Sequence, residues 1–284
     1  MKTEPDAPLG RPCLLGLPYD AASSFLRGAA MAPEAIREAL YSPAGNGWSE
    51  AMVDLGPSGG HLADAGDLSL ANRPRDPADN LAARTAIEHG VGVLLTRGER
   101  PIGLGGDHSV TFPVLRAITG VHGPVTVLHV DAHSDLYDEY EGDRFSHACP
   151  FARALEEGLI RRLIQVGIRT LNPHQRAQAQ RFGVEILDMK AWVAGVRPAL
   201  VVAAVPLYVS IDLDGLDPAF APGVSHPEPG GLSTRDVLGL IQALPAAPVG
   251  ADVVELNPAR DPLGLTAGVA AKLVREIAAR MLAG

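Results

Sequence analysis

The sequence predicts an α/β fold, a three-layer α-β-α sandwich around a mainly parallel central sheet. Short apolar, β-branched segments alternate with segments of helical spacing along the chain. Acids and histidines recur directly after the predicted strands, and ligands bind at the carboxyl ends of strands in folds of this class. With 284 residues and 46% hydrophobic content, we expect one domain over residues 1–284 with a sizeable core.

Proline and capping residues delimit the predicted elements of the first half. Pro18 ends the first strand, Pro33 lies in the first turn of a helix, and Asp76 is a good N-cap. The predicted helices run from Pro33 to about residue 40, from 76 to 97, and onward from Ser109. The predicted strands cover 13–17, 52–55, 62–65, 101–104 and 125–130.

The second half repeats this alternation. Pro173 opens a helix, Ser233 caps another, and residues 212–231 form a Pro/Gly-rich loop. The other predicted helices cover 151–157 and 266–281, and the Ser233 helix reaches about residue 244. The predicted strands cover 163–168, 184–187, 207–211 and 249–255.

Charge and cysteine content narrow the class of protein. The net charge is −9 without a basic block, which disfavours nucleic-acid and acidic-membrane partners. Cys13 and Cys149 lie far apart and form no disulfide framework, so a reducing compartment is expected. Residues 1–11 read as neither a signal nor a transit peptide, and no run approaches the roughly 20 apolar residues of a membrane span. We therefore expect a cytoplasmic protein.

The most informative stretch is Asp131-Ala132-His133-Ser134-Asp135, directly after the buried strand at 125–130. Side chains alternate along an extended backbone, so Asp131, His133 and Asp135 are expected on one side. Burying several unpaired charges costs several kcal/mol or more per ion, so a bound cation is one explanation. A polar loop with solvated acids is the other.

Two further strand ends supply similar groups. Asp107 and His108 follow two glycines, and Asp212 and Asp214 follow the strand at 207–211. Carboxylates and imidazoles without thiolates suit Mn²⁺ or a similar ion better than structural zinc. Four carboxylates and two imidazoles exceed the needs of one small ion, and two ions roughly 3.5 Å apart fit the count.

Four motifs in this order resemble the ureohydrolase family of arginases and agmatinases, most closely the agmatinase branch. They are Gly105-Gly106-Asp107-His108-Ser109, Asp131–Asp135, the stretch from Ser210 to Pro218, and Asp252-Val253-Val254-Glu255-Leu256-Asn257-Pro258. The resemblance covers nearly the whole chain. It implies the arginase-like fold, two Mn²⁺ per subunit, and a homo-oligomer, commonly a trimer or hexamer.

The resemblance also implies roles for individual residues. One Mn²⁺ would be held by His108, Asp131, Asp135 and Asp212, and the second by Asp131, His133, Asp212 and Asp214. Asp131 and Asp212 would bridge the ions, and the nucleophile would be a metal-bridging hydroxide, since metal binding lowers the pKa of water from 15.7 to about 7. Asp135 would orient it.

Two residues are expected to contact the substrate. The resemblance implies that Glu255 holds the guanidinium, whose paired N–H donors a carboxylate fits. It implies that His147 contacts substrate and gives a proton to the leaving amine. A surface or ion-paired Glu255 and a solvent-exposed His147 are the alternatives. Asp107 is expected to orient its neighbour His108.

The loop after the central motif bears on the substrate. It carries Asp138, Glu139, Glu141 and Asp143 with one base, which favours an amine over a carboxylate on the substrate. We therefore expect hydrolysis of agmatine to putrescine and urea. These acids also suit a merely solvated loop, and the segment around His226 departs from the Gly-Thr-Pro run of many relatives, which leaves the substrate open.

Three other functions remain as alternatives. One is a ureohydrolase acting on guanidinobutyrate, guanidinopropionate, arginine or formiminoglutamate. A catalytically silent assembly partner is the second, although the ligand set is intact. A dimetal phosphoesterase is the third, although Glu255 favours a guanidinium.

Overall fold

Eight parallel strands form one sheet in the part of the chain that the structure describes. A computed structural model describes residues 10–57, 59–74, 76–200 and 205–283; residues 1–9 of the polar leader therefore lie outside the described residues. The strands are β1 (Pro12–Gly16), β2 (Ala63–Asp67), β3 (Arg100–Leu104), β4 (Val125–Val130), β5 (Ile160–Ile168), β6 (Glu185–Asp188), β7 (Leu207–Asp212) and β8 (Gly250–Val254). Their order across the sheet is β2-β1-β3-β8-β7-β4-β5-β6. The predicted α/β class is confirmed, with every pairing parallel.

Helices cover both faces of this sheet. They are α1 (Ala32–Leu40), α2 (Pro77–Thr96), α3 (Thr111–His122), α4 (Pro150–Glu156), α5 (Pro173–Phe182), α6 (Met189–Val193), α7 (Thr234–Gln242) and α8 (Leu265–Leu282). Alternate residues of β4 belong to different apolar layers. Leu128 and Val130 pack in the layer that includes α1, α7 and α8, whereas Val125 and Val127 pack in the layer that includes α2, α3 and α4. Burial on both faces explains the uninterrupted apolar runs of the central strands.

Three of the predicted helix starts, those of α2, α5 and α7, have side-chain caps. Asp76 accepts hydrogen bonds from the amides of residues 78 and 79 at the start of α2. Ser233 and Asp236 form a capping box at the start of α7, and Asn172 and Gln175 form another at α5. Each cap satisfies backbone amides that the first turn of a helix leaves without partners.

One predicted strand is wrong. Residues 52–55 form no strand of the sheet; the segment makes only an isolated bridge between Trp48 and Asp54. Met52 lies in the left-handed region with φ of 62°, and its amide donates to the carbonyl of Ser49. The segment is therefore a tight turn, which an apolar tetrapeptide alone does not reveal. The short helix α6 was not predicted.

The four central strands bring the predicted motifs to one edge. β3, β8, β7 and β4 are neighbours in the sheet, and their carboxyl ends precede His108, Glu255, Asp214 and Asp131. The register pairs Asp212 with Val254, which places Glu255 beside the Asp212 turn. Among the described residues, no helix has the length and apolar character needed to span a membrane.

Candidate metal centre

Two glycines allow β3 to turn sharply before His108. Gly105 and Gly106 have φ of 67° and 86°, a region that favours glycine. A Cβ on Gly105 would lie 2.4 Å from the Cβ of Ala32, and one on Gly106 would lie 2.6 Å from the carbonyl of Leu17. Both positions thus exclude a side chain, and the backbone can carry His108 into the cluster of acids.

The imidazole of His108 faces three carboxylates. Its Nδ1 lies 3.2 Å from Asp131 Oδ2, 3.0 Å from Asp135 Oδ2 and 3.2 Å from Asp212 Oδ2. This nitrogen is buried and has no hydrogen-bond partner among the described residues. An unpartnered buried nitrogen ringed by carboxylate oxygens is the arrangement that a bound cation would complete.

A second group adjoins the first. His133 Nδ1 lies 3.1 Å from Asp214 Oδ2 and 3.4 Å from Asp131 Oδ1. Ligand atoms of Asp131, His133 and Asp214 all lie within 4.8 Å of one another. Asp131 therefore takes part in both groups, one through each oxygen. The amide of Asp214 donates to Asp212 Oδ1 at 2.8 Å, which fixes the turn carrying both acids.

Crowding of buried carboxylates shifts their proton affinity. Burial and the charges of Asp214 and Asp131 raise the pKa of Asp212 well above its usual range. Burial raises the pKa of Asp214 to about 7, against the opposing charge of His133. The pKa of His108 is raised, although burial alone would lower it, because the carboxylates of Asp131, Asp135 and Asp212 surround its ring and favour the charged form. So many acids at one place call for compensating positive charge.

A chain of hydrogen bonds that the sequence did not predict orients the His108 imidazole through its Nε2. Its Nε2 lies 3.0 Å from Ser210 Oγ, which donates to Asp252 Oδ1 at 2.6 Å. Tyr208 and Thr111 hydroxyls both donate to Asp252 Oδ2 at 2.7 Å. Because Ser210 donates to Asp252, it accepts from His108 Nε2–H and leaves Nδ1 free to bind a cation.

Asp131 has a comparable support. His129 Nε2 lies 2.8 Å from Asp131 Oδ2, and the amide of Gln165 lies 3.0 Å from His129 Nδ1. Gln165 Nε2 also donates to the carbonyl of Ser134 at 2.6 Å. His129 is fully buried, so it orients Asp131 from inside the sheet.

Arg169, which follows β5, is another residue that sequence reasoning missed. Its guanidinium donates to the carbonyls of Asp214 at 2.7 Å and Gly215 at 3.2 Å. It also donates to the carbonyl of Glu228 at 3.1 Å. Arg169 thus ties the Asp214 turn to the loop that carries His226. An arginine after a strand has no sequence signal that distinguishes this backbone-binding role from an ordinary surface charge.

Glu255 and His147 meet beside the metal-ligand candidates. Glu255 Oε1 accepts from the His108 amide at 2.9 Å and lies 3.3 Å from His147 Nδ1. Burial opposes the positive charge, but the hydrogen bond and charge of Glu255 raise the pKa of His147 to about 9. His147 is thus protonated near neutral pH, with its proton directed toward a carboxylate.

These groups open onto a cavity of about 240 Å³. Its inner wall includes Asp135, Asp212 and Asp214, and Glu255 and His147 lie on its side. The outer wall is neutral and polar or aromatic, formed by Tyr137, Tyr140, Thr170, Gln175 and His226. The His226 ring stacks on His147 with centroids 5.1 Å apart and an interplanar angle of 27°.

The acidic side chains of the loop after the central motif do not line this cavity, although Tyr137 and Tyr140 of the same loop do. Asp138 pairs with Arg144 at 3.0 Å and with Arg153 at 2.9 Å. Glu141 and Asp143 line a different cavity. None of the loop's four acids is among the described residues that line the cavity beside Glu255. The electrostatic reason for expecting an amine on the substrate is therefore not supported by the position of these side chains.

Comparison with known proteins decides the family. Residues 11–279 match the model of the Arginase family. The chain belongs to the arginase family. It is 48% identical over 276 residues to "Arginase 1, mitochondrial" of Arabidopsis thaliana, which covers 94% of this chain and 80% of that protein.

Two solved structures of the family are similar as well. The arginase of Medicago truncatula superimposes with a TM-score of 0.87 at 42% identity, covering 96% of this chain and 88% of the other. The agmatine ureohydrolase of Thermoplasma volcanium gives 0.81 at 31% identity, with 96% and 90% covered. The predicted relation to arginases and agmatinases is thus confirmed, although the 48% identical relative is an arginase.

In this arginase-family chain, two site residues adopt strained backbone conformations. Asp135 has φ of 48° and Glu255 has φ of 66°. The left-handed region costs a residue with a Cβ roughly 1–2 kcal/mol. The Glu255 conformation accompanies its amide's hydrogen bond to the carbonyl of Gly106 at 3.0 Å. That bond ties the turn after β8 to the turn after β3, so the strain keeps the carboxylate near His108.

Proposed function

We propose that this protein is a metal-dependent ureohydrolase that hydrolyses the guanidinium group of a small linear guanidino compound to an amine and urea. The observation that carries the proposal is the placement of Glu255 and His147 against the clustered acids and imidazoles, all opening onto one cavity. A guanidinium carbon is a weak electrophile, so the site must both activate water and hold a planar cation.

We propose two Mn²⁺ ions as the cofactor. Carboxylates and imidazoles without thiolates suit Mn²⁺, and the unpartnered Nδ1 of His108 among acids fits a cation. The six residues that would hold them are His108, Asp131, His133, Asp135, Asp212 and Asp214. When bound, such ions supply the charge that makes water nucleophilic near neutral pH.

The protein's own groups then act on the substrate. The Glu255 carboxylate pairs with the guanidinium and holds its carbon toward the acid cluster. Asp135 accepts a hydrogen bond from the attacking water and orients it. His147 donates its Nδ1 proton to the leaving nitrogen. Of the two protons lost by the attacking water, one also goes to that nitrogen and the other restores His147, so the C–N bond breaks to give urea and a protonated amine.

L-Arginine is the first candidate substrate. The relatives named arginases are 44–48% identical over 94–95% of this chain. None of the acids that favoured an amine lines the cavity, and its outer wall of Tyr137, Tyr140, Thr170, Gln175 and His226 is not acidic. A neutral polar wall accepts a substrate carboxylate that four acids would repel.

Agmatine is the second candidate, and it remains the prediction from the motifs. The similarity to the agmatine ureohydrolase of Thermoplasma volcanium favours it. The outer wall offers no arginine or lysine among its described residues to pair with a substrate carboxylate. The neutral hydroxyl, phenol and amide groups of this wall would contact the end of the substrate opposite the guanidinium. Their fit to that end decides whether arginine or agmatine is hydrolysed faster.

A substrate panel tests the proposal. Metal-stripped protein is reloaded with Mn²⁺, and urea is measured with arginine, agmatine, guanidinobutyrate and guanidinopropionate; formamide is measured with formiminoglutamate. We expect urea from at least one guanidino compound, with arginine first. No product from any compound would favour the silent assembly partner, and phosphate release from a phosphoester instead would favour a phosphoesterase. Sedimentation of the same preparation tests the expected homo-oligomer.

A further inference from the structure

The second nitrogen of His147 has its own partner. Ser24 Oγ lies 2.8 Å from His147 Nε2, on the side of the ring away from the Nδ1 that faces Glu255. Ser24 lines the same cavity as His147 and Glu255. The imidazole is therefore held at both nitrogens, once by a carboxylate and once by a hydroxyl.

The loop that carries Ser24 is firmly anchored. The amide of Ala22 donates to Asp107 Oδ2 at 3.0 Å, and the carbonyl of Ala22 accepts from the His147 amide at 3.3 Å. Asp20 accepts from Arg27 Nε at 2.8 Å and from the Gly28 amide at 2.7 Å. The bond to the Ala22 carbonyl joins the loop directly to the backbone of His147, and the other bonds hold the loop itself in place, so the hydroxyl and the ring keep a fixed relation.

From this geometry we infer that Ser24 is a positioning residue that aims His147, holding its Nε2 so that Nδ1 points to Glu255 and to the leaving nitrogen of the substrate. The inference rests on the proposed hydrolysis and adds a residue to it. A hydroxyl suits the task because it accepts from Nε2–H when the ring is charged and donates to Nε2 when the ring is neutral.

The hydrogen bond also favours the charged ring. A bond from an imidazolium N–H is stronger than one to a neutral ring, so Ser24 helps to keep the acid form. The other charged or titratable groups facing His147 are Glu255, Asp107, Asp135 and His226. Those acids remain when Ser24 is changed, so loss of the hydroxyl alters one identified interaction.

The test compares Ser24→Ala and Ser24→Thr with Ser23→Ala as the matched control. Ser23 is the neighbouring serine, and its hydroxyl lies 3.3 Å from Asp107 rather than against His147. We expect Ser24→Ala to lower kcat about tenfold with KM changed less than about twofold. Loss of a hydrogen-bond partner that orients a catalytic group typically lowers activity by about this factor. Ser24→Thr keeps the hydroxyl and should recover most of kcat.

The pH profile separates positioning from general loop damage. Without the Nε2 acceptor, the His147 pKa falls, so the alkaline limb of kcat/KM for Ser24→Ala should move about 0.5–1 pH unit lower. Ser24→Thr and Ser23→Ala should keep the wild-type limb. An unmoved limb in Ser24→Ala, or equal losses in Ser24→Thr or Ser23→Ala, would overturn the inference.

A readout without turnover distinguishes this inference from the proposed function. NMR titration of the His147 ring, in protein loaded with diamagnetic Mg²⁺, should give a lower pKa in Ser24→Ala than in wild type. If wild type releases no urea, the proposed function fails, yet the titration still decides the role of Ser24. An unchanged His147 pKa in Ser24→Ala would then contradict it.

Discussion

His108 Nε2 lies 3.0 Å from the hydroxyl of Ser210, although 102 positions separate the two residues in the chain. Ser210 and Asp212 are two apart on β7, so they point to the same side of the sheet. The strand therefore supplies both the hydroxyl that holds one nitrogen of His108 and a carboxylate that faces the other. The imidazole is oriented before any cation binds.

Removal of the Ser210 hydroxyl should weaken metal binding. We expect Ser210→Ala to raise the Kd for Mn²⁺ about 10–100-fold, because the His108 ring loses the bond that fixes its tautomer. Ser134→Ala is the control, since the Ser134 hydroxyl is buried without a hydrogen-bond partner among the described residues. Isothermal titration with Mn²⁺ measures both. Equal Kd values for the two variants would contradict the role of Ser210.

The metal-free protein should be less stable than the metal-loaded one. Asp212, Asp214 and Asp131 lie close together and buried, so their repulsion opposes folding until cations bind. At a free Mn²⁺ concentration of 100 times Kd, we expect about 2.7 kcal/mol of added unfolding free energy. Denaturant unfolding with Mn²⁺ or with chelator measures it.

Asp212→Asn gives the matching control for that experiment. The amide removes one charge of the crowded set, so the metal-free variant should be at least as stable as metal-free wild type. It should show little stabilisation by Mn²⁺, because Asp212 is proposed as a ligand of both ions and the amide is a weaker ligand. Stabilisation equal to wild type would show that Asp212 is not shared between two ions.

Much of the site followed from the sequence because chemistry-bearing residues stood at strand ends. Because β4 and β7 are buried on both faces, they are apolar runs that the sequence identifies as strands. The acids that follow them are then predicted at the edge of the sheet where the carboxyl ends of parallel strands meet. Side-chain direction within loops was not readable. Asp138 pairs with Arg144 and Arg153, and the acids of its loop do not line the cavity, whereas Tyr137 and Tyr140 of the same loop do.

Long-range polar contacts also escaped the sequence. The bond from Ser210 to Asp252 joins β7 and β8, whose adjacency follows from strand order and not from the local pattern. The strand predicted at 52–55 was wrong because Met52 adopts a positive φ in a turn. The fold class therefore followed from periodicity, whereas the supports of the site required the packed structure.

Glu255→Gln should abolish most turnover while leaving the metals in place. The amide cannot offer a full carboxylate to the guanidinium, so we expect kcat/KM to fall at least ~100-fold, in the range seen when a charge-stabilising group is removed. Glu139→Gln is the control on the exposed acidic loop, and should change kcat/KM less than about twofold. Urea release and bound Mn²⁺ are measured together. Loss of Mn²⁺ from Glu255→Gln would contradict a substrate role.

Activity should fall at alkaline pH because His147 must be protonated. Its pKa is raised to about 9, against opposition from burial, by the hydrogen bond and charge of Glu255. The interaction between charged His147 and Glu255 also contributes to the free energy of unfolding. This contribution is fully present below the ordinary histidine pKa of 6.5 and is lost as the pH rises through about 9. His147→Ala should remove that part of the pH dependence in unfolding experiments. An identical pH dependence in the variant would refute the assignment.

His226→Ala should alter substrate selectivity more than metal binding. The His226 ring covers His147 and contacts Phe25 with centroids 5.7 Å apart, at the outer wall of the cavity. We expect the ratio of kcat/KM for arginine to that for agmatine to change about threefold or more, since one lost wall contact is worth on the order of 1 kcal/mol. His89→Ala on α2 is the control. A constant ratio in both variants would place His226 outside the substrate's reach.

The most direct test combines metal content with urea release on one preparation. The protein is stripped of metal, reloaded with Mn²⁺ and assayed with arginine and agmatine, with Asp131→Ala treated identically. We expect two Mn²⁺ per chain and urea release in wild type, and loss of both in Asp131→Ala. Urea release by the metal-free protein at the reloaded rate, or none from wild type carrying two Mn²⁺, would contradict this expectation.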